Sequence, residues 1–541
     1  MQYKLIIGVF ATFYSRHNPL KVPLWIILPC ILAALFVILP LLYLGIRAAQ
    51  AEPETWRWII RLQTLHIIFR SIILALSVSL LSTLISLPLA FITTKTNIPF
   101  KKVFVVASMI PIVIPSYVGA YIFISISSPN GLTHQFISRF FELELISNLS
   151  GFTSSLLVLS FLNYPYIYIT LRNAFRNMDS SAEETGYLMG FKSPEIFYRI
   201  ILPQLKPAII SGGLLVSLYT LSDFGAVSLL KYKTFTWAIY NQFEMNGNTN
   251  TAAILSLVLY VIATGLLYFE SFIRGNKKYH LSSSGAERPS SQFNLGKYKI
   301  PCILFCIIVF SISLALPTIV LAYWLLRGLA EGLNLYSNLQ LVRNSIILSS
   351  ASSILVIITA IPLSYLVTRH KGLISNTIEK LCYIGFALPS VSVALALVFI
   401  GAKIGQPMYQ SLFILIIGCS IIALPAALGP IRSSLLQINP RLEESATTLG
   451  KGKFKAAYHT TFRLLKPGTG MAAGLIFLLT MKELPMVLML SPLNFSTLTT
   501  QIWSYTSEAF FAQAAFPALL LIVISSLIMM IFVTSTESKK I

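Results

Sequence analysis

Two polar stretches hold the residues best suited to directed chemistry, SAEETGYLMGFKSPEIFYRIILPQLKP at 181–207 and RLEESATTLGKGKFKAAYHTTFRLLKP at 441–467. Glu183, Glu184, Gly190, Lys206 and Pro207 of the first recur 260 residues later as Glu443, Glu444, Gly450, Lys466 and Pro467. Exposed carboxylates can pair with cations on another protein, glycine permits a tight turn or a close backbone approach, and proline suits the start of a helix. From Glu184 to Ile201 the residues suit one short amphipathic helix, with Leu188, Phe191 and Phe197 on its apolar face. A solvated connecting loop would need none of this, so equal spacings in two otherwise diverged copies argue for a docking surface. Asp223 and Glu483 form a second pair, also 260 apart, inside apolar runs. Acids at such depth are costly and are functional candidates by default. They either line a path for a hard, oxygen-preferring cation or are neutralised locally, by neighbours such as Lys482 or by backbone hydrogen bonds, and the sequence supports the two readings equally.

Other chemistry is thinly represented. Cys302 and Cys306 lie four apart, but two soft ligands without companions make a poor metal site. All five cysteines fall in apolar runs, where packing explains them. The six histidines form no ligand-spaced pair, and the 24 tyrosines suit interfacial anchoring and helix packing. No G-x-x-x-x-G-K-[ST] phosphate loop is present, since Lys297 is followed by tyrosine and Lys453 by phenylalanine.

The elements that must position these residues are membrane helices. Hydrophobic residues make up 55% of the 541 and charged ones only 11%, far below the roughly 25% of a water-facing surface. Apolar runs of about 20 residues span a bilayer as helices, and barrel strands are much shorter. The expected fold is all-α and polytopic, with about twelve spans near 24–46, 67–92, 103–127, 151–171, 208–230, 252–273, 300–326, 344–367, 381–402, 409–431, 468–490 and 510–533. The first is too long for a signal-peptide core, and 5–14 is too short to cross and suits the interface. With the N-terminus inside, 29 of the 40 Lys and Arg fall on the cytoplasmic side. The net charge of +21 is therefore mostly an orientation signal and not a footprint for nucleic acid. Both termini are then cytoplasmic.

The runs repeat. An offset of 274 pairs RSIIL at Arg70 with NSIIL at Asn344, Pro88 with Pro362, Lys95 with Arg369, and IPS 114–116 with LPS 388–390. From Pro165 and Pro425 the offset is 260, because the first half has a longer external loop at 129–148. Six spans per half is an even number, so the halves cross in parallel. The expected domains are 1–273 and 300–541, with polar loops at about 180–205 and 440–465, joined by a Ser- and Gly-rich cytoplasmic linker at 274–299.

The polar pattern, with glycine six positions after the second glutamate and a later Leu-Pro, resembles the EAA loop of permease subunits in binding-protein-dependent ABC importers. That resemblance covers nearly the whole chain and implies the type I importer permease fold, with each loop acting as a coupling helix seated on a cytoplasmic ATPase. The family's loop residues carry over to Glu184, Gly190 and Pro203, and to Glu444, Ala446 and Gly450. Thr185 and Gly186 replace the two alanines in the first copy and Ser445 replaces one in the second. Arg463 stands where the first copy has Pro203, so the second loop is expected to leave at a different angle. SDFG at 222–225 and KELP at 482–485 resemble the fused permeases of the ferric-iron importer family. The resemblance implies a non-catalytic permease of the bacterial inner membrane, two ATPase copies that bind the ATP and Mg, and an extracellular or periplasmic binding protein. No cofactor belongs to this chain itself. Thiamine, polyamine or an inorganic anion is the rival cargo. An ion-driven secondary transporter is the rival class, though it would need no pair of docking loops.

Overall fold

The computed structural model describes residues 24–127, 151–176, 178, 181–244, 247–274, 293–333, 338–370, 372–385, 388–403 and 408–537. The segment 5–14, the loop 129–148 and residues 275–292 of the linker lie outside them. Without water to satisfy backbone groups, apolar runs close their own hydrogen bonds as helices, and the described residues are helical almost throughout. Along the first half the helices used below are Leu24–Ala49 (α1), Leu62–Lys95 (α2), Lys101–Ala107 (α3), Ser116–Ser127 (α4), Phe152–Arg176 (α5), Ser181–Leu188 (α6), Leu202–Ser222 (α7), Gly225–Leu229 (α8) and Thr249–Arg274 (α9). Along the second they are Lys299–Phe310 (α10), Leu316–Ala330 (α11), Asn338–Arg369 (α12), Leu373–Ile384 (α13), Ser390–Lys403 (α14), Leu412–Gln437 (α15), Arg441–Thr448 (α16), Lys466–Met481 (α17), Pro485–Leu490 (α18) and Phe511–Glu537 (α19).

Among the described residues nine helices are long and apolar enough to cross a membrane, and two bent pairs can each supply one more. With the shorter apolar α14, every one of the twelve expected spans has a counterpart. Four of them are not the straight rods expected. The run 103–127 bends by 94° between the segment starting at α3 and α4, at the Ile114-Pro115-Ser116 step. Its repeat partner 381–402 is divided between α13 and α14 around Pro389. The runs 208–230 and 468–490 break after Ser222 and Met481. Prolines that remain inside α2, α5, α12 and α15 are tolerated, because neighbouring helices can re-satisfy the freed carbonyls.

Two compact units result. One comprises Ala51–Leu339 with Leu498–Ser526, the other Met1–Gln50, Gln340–Thr497 and Leu527–Ile541. In the first unit the Tyr164 hydroxyl of α5 meets the Ser313 hydroxyl, between α10 and α11, at 3.5 Å. In the second, the Arg47 guanidinium of α1 lies 5.1 Å from the Phe399 ring centre of α14. The sequence halves and the packing units thus divide the chain differently, since the leading helix of each half belongs to the unit built mostly from the other. Lipid gives two apolar helices no hydrophobic reason to associate, so close packing and hydrogen bonds choose the neighbours. One such bond is itself repeated: Ser79 of α2 donates to the Gly213 carbonyl of α7 at 3.0 Å, and Ser353 of α12 donates to the Ala473 carbonyl of α17 at 2.8 Å.

Candidate functional site

Each polar stretch folds as a helix, a turn and a second helix, not as the single helix expected over 184–201. α6 ends at Leu188 because Gly190 takes φ +82°, and α16 ends in the same way at Gly450 with φ +84°. The amides of Gly190 and Phe191 donate to the carbonyls of Tyr187 and Gly186. Those of Gly450 and Lys451 donate to Thr447 and Ala446. This is the Schellman termination, which favours glycine at the left-handed position. Nothing lies within 4 Å of where either Cβ would be, so the glycines serve the turn and not a close approach. Leu188, expected on the apolar face of one helix, is 89% exposed, and that face does not run on to Ile201 because the chain turns at Gly190.

The glutamate pairs divide their work. Glu183 is fully buried and its Oε1 meets the equally buried Lys95 ammonium, at the end of α2, at 2.6 Å. Its repeat partner Glu443 is held differently, accepting from the Tyr365 hydroxyl at 2.6 Å and from the Thr461 hydroxyl. Phe91 and Ile201 occupy the matching positions of the first half and offer no hydroxyl. There the ammonium of Lys95 does the work, while its counterpart Arg369 donates to the Ile438 carbonyl at 2.8 Å. Glu184 and Glu444, by contrast, point outward and are exposed. Beside them lie Met189 and Leu449, 70% and 82% exposed. Each copy therefore presents an acid and a large apolar side chain to the surroundings.

The departures from the alanine pattern have a packing explanation. Gly186 and Ala446 are repeat partners and both are buried. A Cβ on Gly186 would lie 2.8 Å from Ile200 and 3.2 Å from Ile196. The matching positions in the second copy hold Thr460 and Ala456, smaller side chains that leave room for the methyl of Ala446. Pro203 stands in the first turn of α7, and the helical path from Ser193 to Ser222 is continuous. In the second copy Phe454–Phe462 and α17 meet at 76°, which is the different exit angle expected where Arg463 replaces Pro203. Pro467 opens α17 as expected, whereas Pro207 lies inside α7.

Asp223 and Glu483 sit at the two helix breaks. Asp223 Oδ1 accepts from the amides of Ala226 at 3.0 Å and Val227 at 3.4 Å, capping α8. Glu483 accepts from the Met486 amide, the equivalent position, and from the Ser390 hydroxyl at the start of α14. Each acid thus has a local structural task, and Glu483 retains a buried Oε1 with no hydrogen-bond partner. Sequence reasoning named the acids but missed Lys95, Tyr365 and Thr461. The recurrence of Lys95 as Arg369 at the end of a span was the available signal.

Residues 82–271 and 357–539 each match the family described as "Binding-protein-dependent transport system inner membrane component". The chain is 31% identical, over 94% of its length and 98% of the relative's, to the Fe(3+)-transport system permease protein FbpB 2 of Haemophilus influenzae. It is 23% identical to the ferric transport system permease protein FbpB of Actinobacillus pleuropneumoniae, over 86% of this chain and 70% of that one. The molybdenum transport system permease protein ModB of Mycobacterium tuberculosis is 26% identical, and 93% of it matches 46% of this chain. A whole relative thus corresponds to one half here.

Proposed function

Because the chain belongs to the family of binding-protein-dependent transport system inner membrane components, we propose that it is the fused permease of an ATP-driven importer whose cargo is ferric iron. The near full-length identity to an Fe(3+)-transport permease carries this reading. Two copies of an ATPase seat on α6 and α16, through Glu184 and Glu444 and the exposed side chains beside them. A binding protein delivers the cargo on the opposite side of the inner membrane. ATP and Mg reside in the ATPases, and this chain contributes passage and coupling without catalysis. The N-terminus, the C-terminus and the linker 274–299 face the cytoplasm.

Asp223 and Glu483 each serve the passage of a cation in addition to capping α8 and α18, Glu483 through its unpartnered oxygen. A hard trivalent ion prefers such oxygen donors. Molybdenum as cargo is the alternative the half-length relative suggests, and acids at both breaks favour a cation over an oxyanion. Uptake of radiolabelled ferric iron into proteoliposomes holding the whole complex and its binding protein tests the cargo. No uptake alongside rapid uptake of molybdate would overturn it. Glu184→Lys with Glu444→Lys should abolish stimulated ATPase activity and uptake while the chain still inserts; normal coupling in that variant would remove the docking role.

A further inference from the structure

The end of the linker does not simply lead into α10; it lies against the first coupling helix. The Phe293 amide donates to the Lys95 carbonyl at 2.7 Å, and Thr96 and Phe293 pair as an isolated bridge. Asn97 accepts from the Leu295 amide at 3.3 Å and donates to the Asn294 side chain at 3.1 Å. The Phe293 ring stands 5.6 Å from Phe91 of α2 and 6.5 Å from Tyr187 of α6. Phe91 in turn meets Phe175 at 6.0 Å and Phe197, just beyond the coupling turn, at 5.7 Å. Lys95 is common to both layers: its carbonyl holds the linker and its ammonium holds Glu183.

We propose that Phe293, Asn294 and Leu295 clasp α6 and fix its position against its ATPase, which makes them positioning residues for coupling in the first half. Three observations point to a built seat. The linker is bound by its backbone, by Asn97 and by its aromatic ring. The seat touches the coupling helix itself, through Tyr187. The second half has not kept it: the positions matching Phe91, Phe175, Tyr187 and Phe197 hold Tyr365, Leu435, Thr447 and Ala457. The two coupling helices are therefore not equivalent. Among the described residues only the first is tied to the segment that begins the second half, which gives α10 a direct connection to α6. Aromatic contacts of this kind add to area burial alone, and the loss of one ring would loosen the clasp without unfolding the helices.

The inference rests on the reading of α6 and α16 as ATPase-docking helices, and the test separates the two. A photoreactive amino acid is placed at Leu188 or at Leu449, both largely exposed, in the assembled complex with its ATPase. Crosslinks to the ATPase from both positions in the otherwise native protein support docking, and their absence ends that reading and this one together. With docking seen, Phe293→Ala should lower the crosslink from position 188 roughly fivefold and leave that from 449 unchanged, while Phe293→Tyr retains it. Asn97→Ala, an exposed position whose loss cannot unfold the membrane helices, should give the same one-sided effect in weaker form and reduce the ATPase turnover obtained per saturating binding protein. Native crosslinking from 188 in both variants, or an equal fall from 188 and 449, would overturn the clasp.

Discussion

Replacing Lys95 with methionine keeps the length of the side chain and removes the charge opposite Glu183. Both partners are completely buried at 2.6 Å, and Glu183 Oε2 already lacks a hydrogen bond. The variant therefore leaves a carboxylate with neither oxygen satisfied. Breaking a buried pair from one side costs about 3–5 kcal/mol. Since the pair joins α2 to α6 and little else, that cost falls on the seating of α6. At about 1.4 kcal/mol per tenfold, the ratio of seated to unseated helix should drop by roughly two to four orders of magnitude. Adding Glu183→Leu removes the stranded acid, and replacing a buried pair by apolar side chains of similar volume is often neutral. Hydrogen exchange at 181–188 should accelerate in Lys95→Met, return toward native in the double variant, and stay native throughout at 441–448. Stimulated ATPase activity in the assembled complex should follow the same order. Native exchange in Lys95→Met, or a double variant as impaired as either single one, would refute the reasoning.

Gly190→Ala and Gly450→Ala should each destabilise the coupling turn by about 1–2 kcal/mol, with Asn tolerated better; because nothing crowds either site, thermal melting of the complex should show nearly equal losses in the two halves. Gly186→Ala should cost about 1–3 kcal/mol by overpacking, and Ile200→Thr, which copies the second half, should recover most of it in the same melting assay. Asp223→Asn should preserve the α8 cap, whereas Asp223→Ala should lose about 1 kcal/mol. If Asp223 and Glu483 serve passage, Asp223→Asn with Glu483→Gln should assemble normally yet take up ferric iron poorly, and full uptake by the assembled double variant would end that role.

The spans were legible because lipid forces one answer on a long apolar run. The pairing of α6 with α16 was legible because Glu, Gly and Pro recur at a fixed offset. What the sequence did not reveal are departures from a straight rod. The breaks at Asp223 and Glu483 interrupt runs whose hydropathy does not change. The turn at Gly190 ends a helix that composition alone would extend to Ile201. The partners of Glu183 and Glu443 were hidden for a different reason. One half uses an ammonium and the other two hydroxyls, so no shared residue type marks the seat, and each partner lies 18 or more positions away in sequence. Gly186 looked like a defect in the motif until Ile196 and Ile200 were placed beside it.

The exchange of leading helices has a consequence for synthesis. α1 is made before the residues it joins in its unit, which begin at Gln340. At about 5–20 residues per second, the intervening stretch of about 290 residues occupies the ribosome for roughly 15–60 s. Through that interval α1 waits in lipid without its final neighbours. The other unit is likewise incomplete until Leu498–Ser526 has emerged. Since the unit that holds α1 also includes Leu527–Ile541, a truncation before Leu498 leaves both units incomplete and should open them to the cell's membrane proteases.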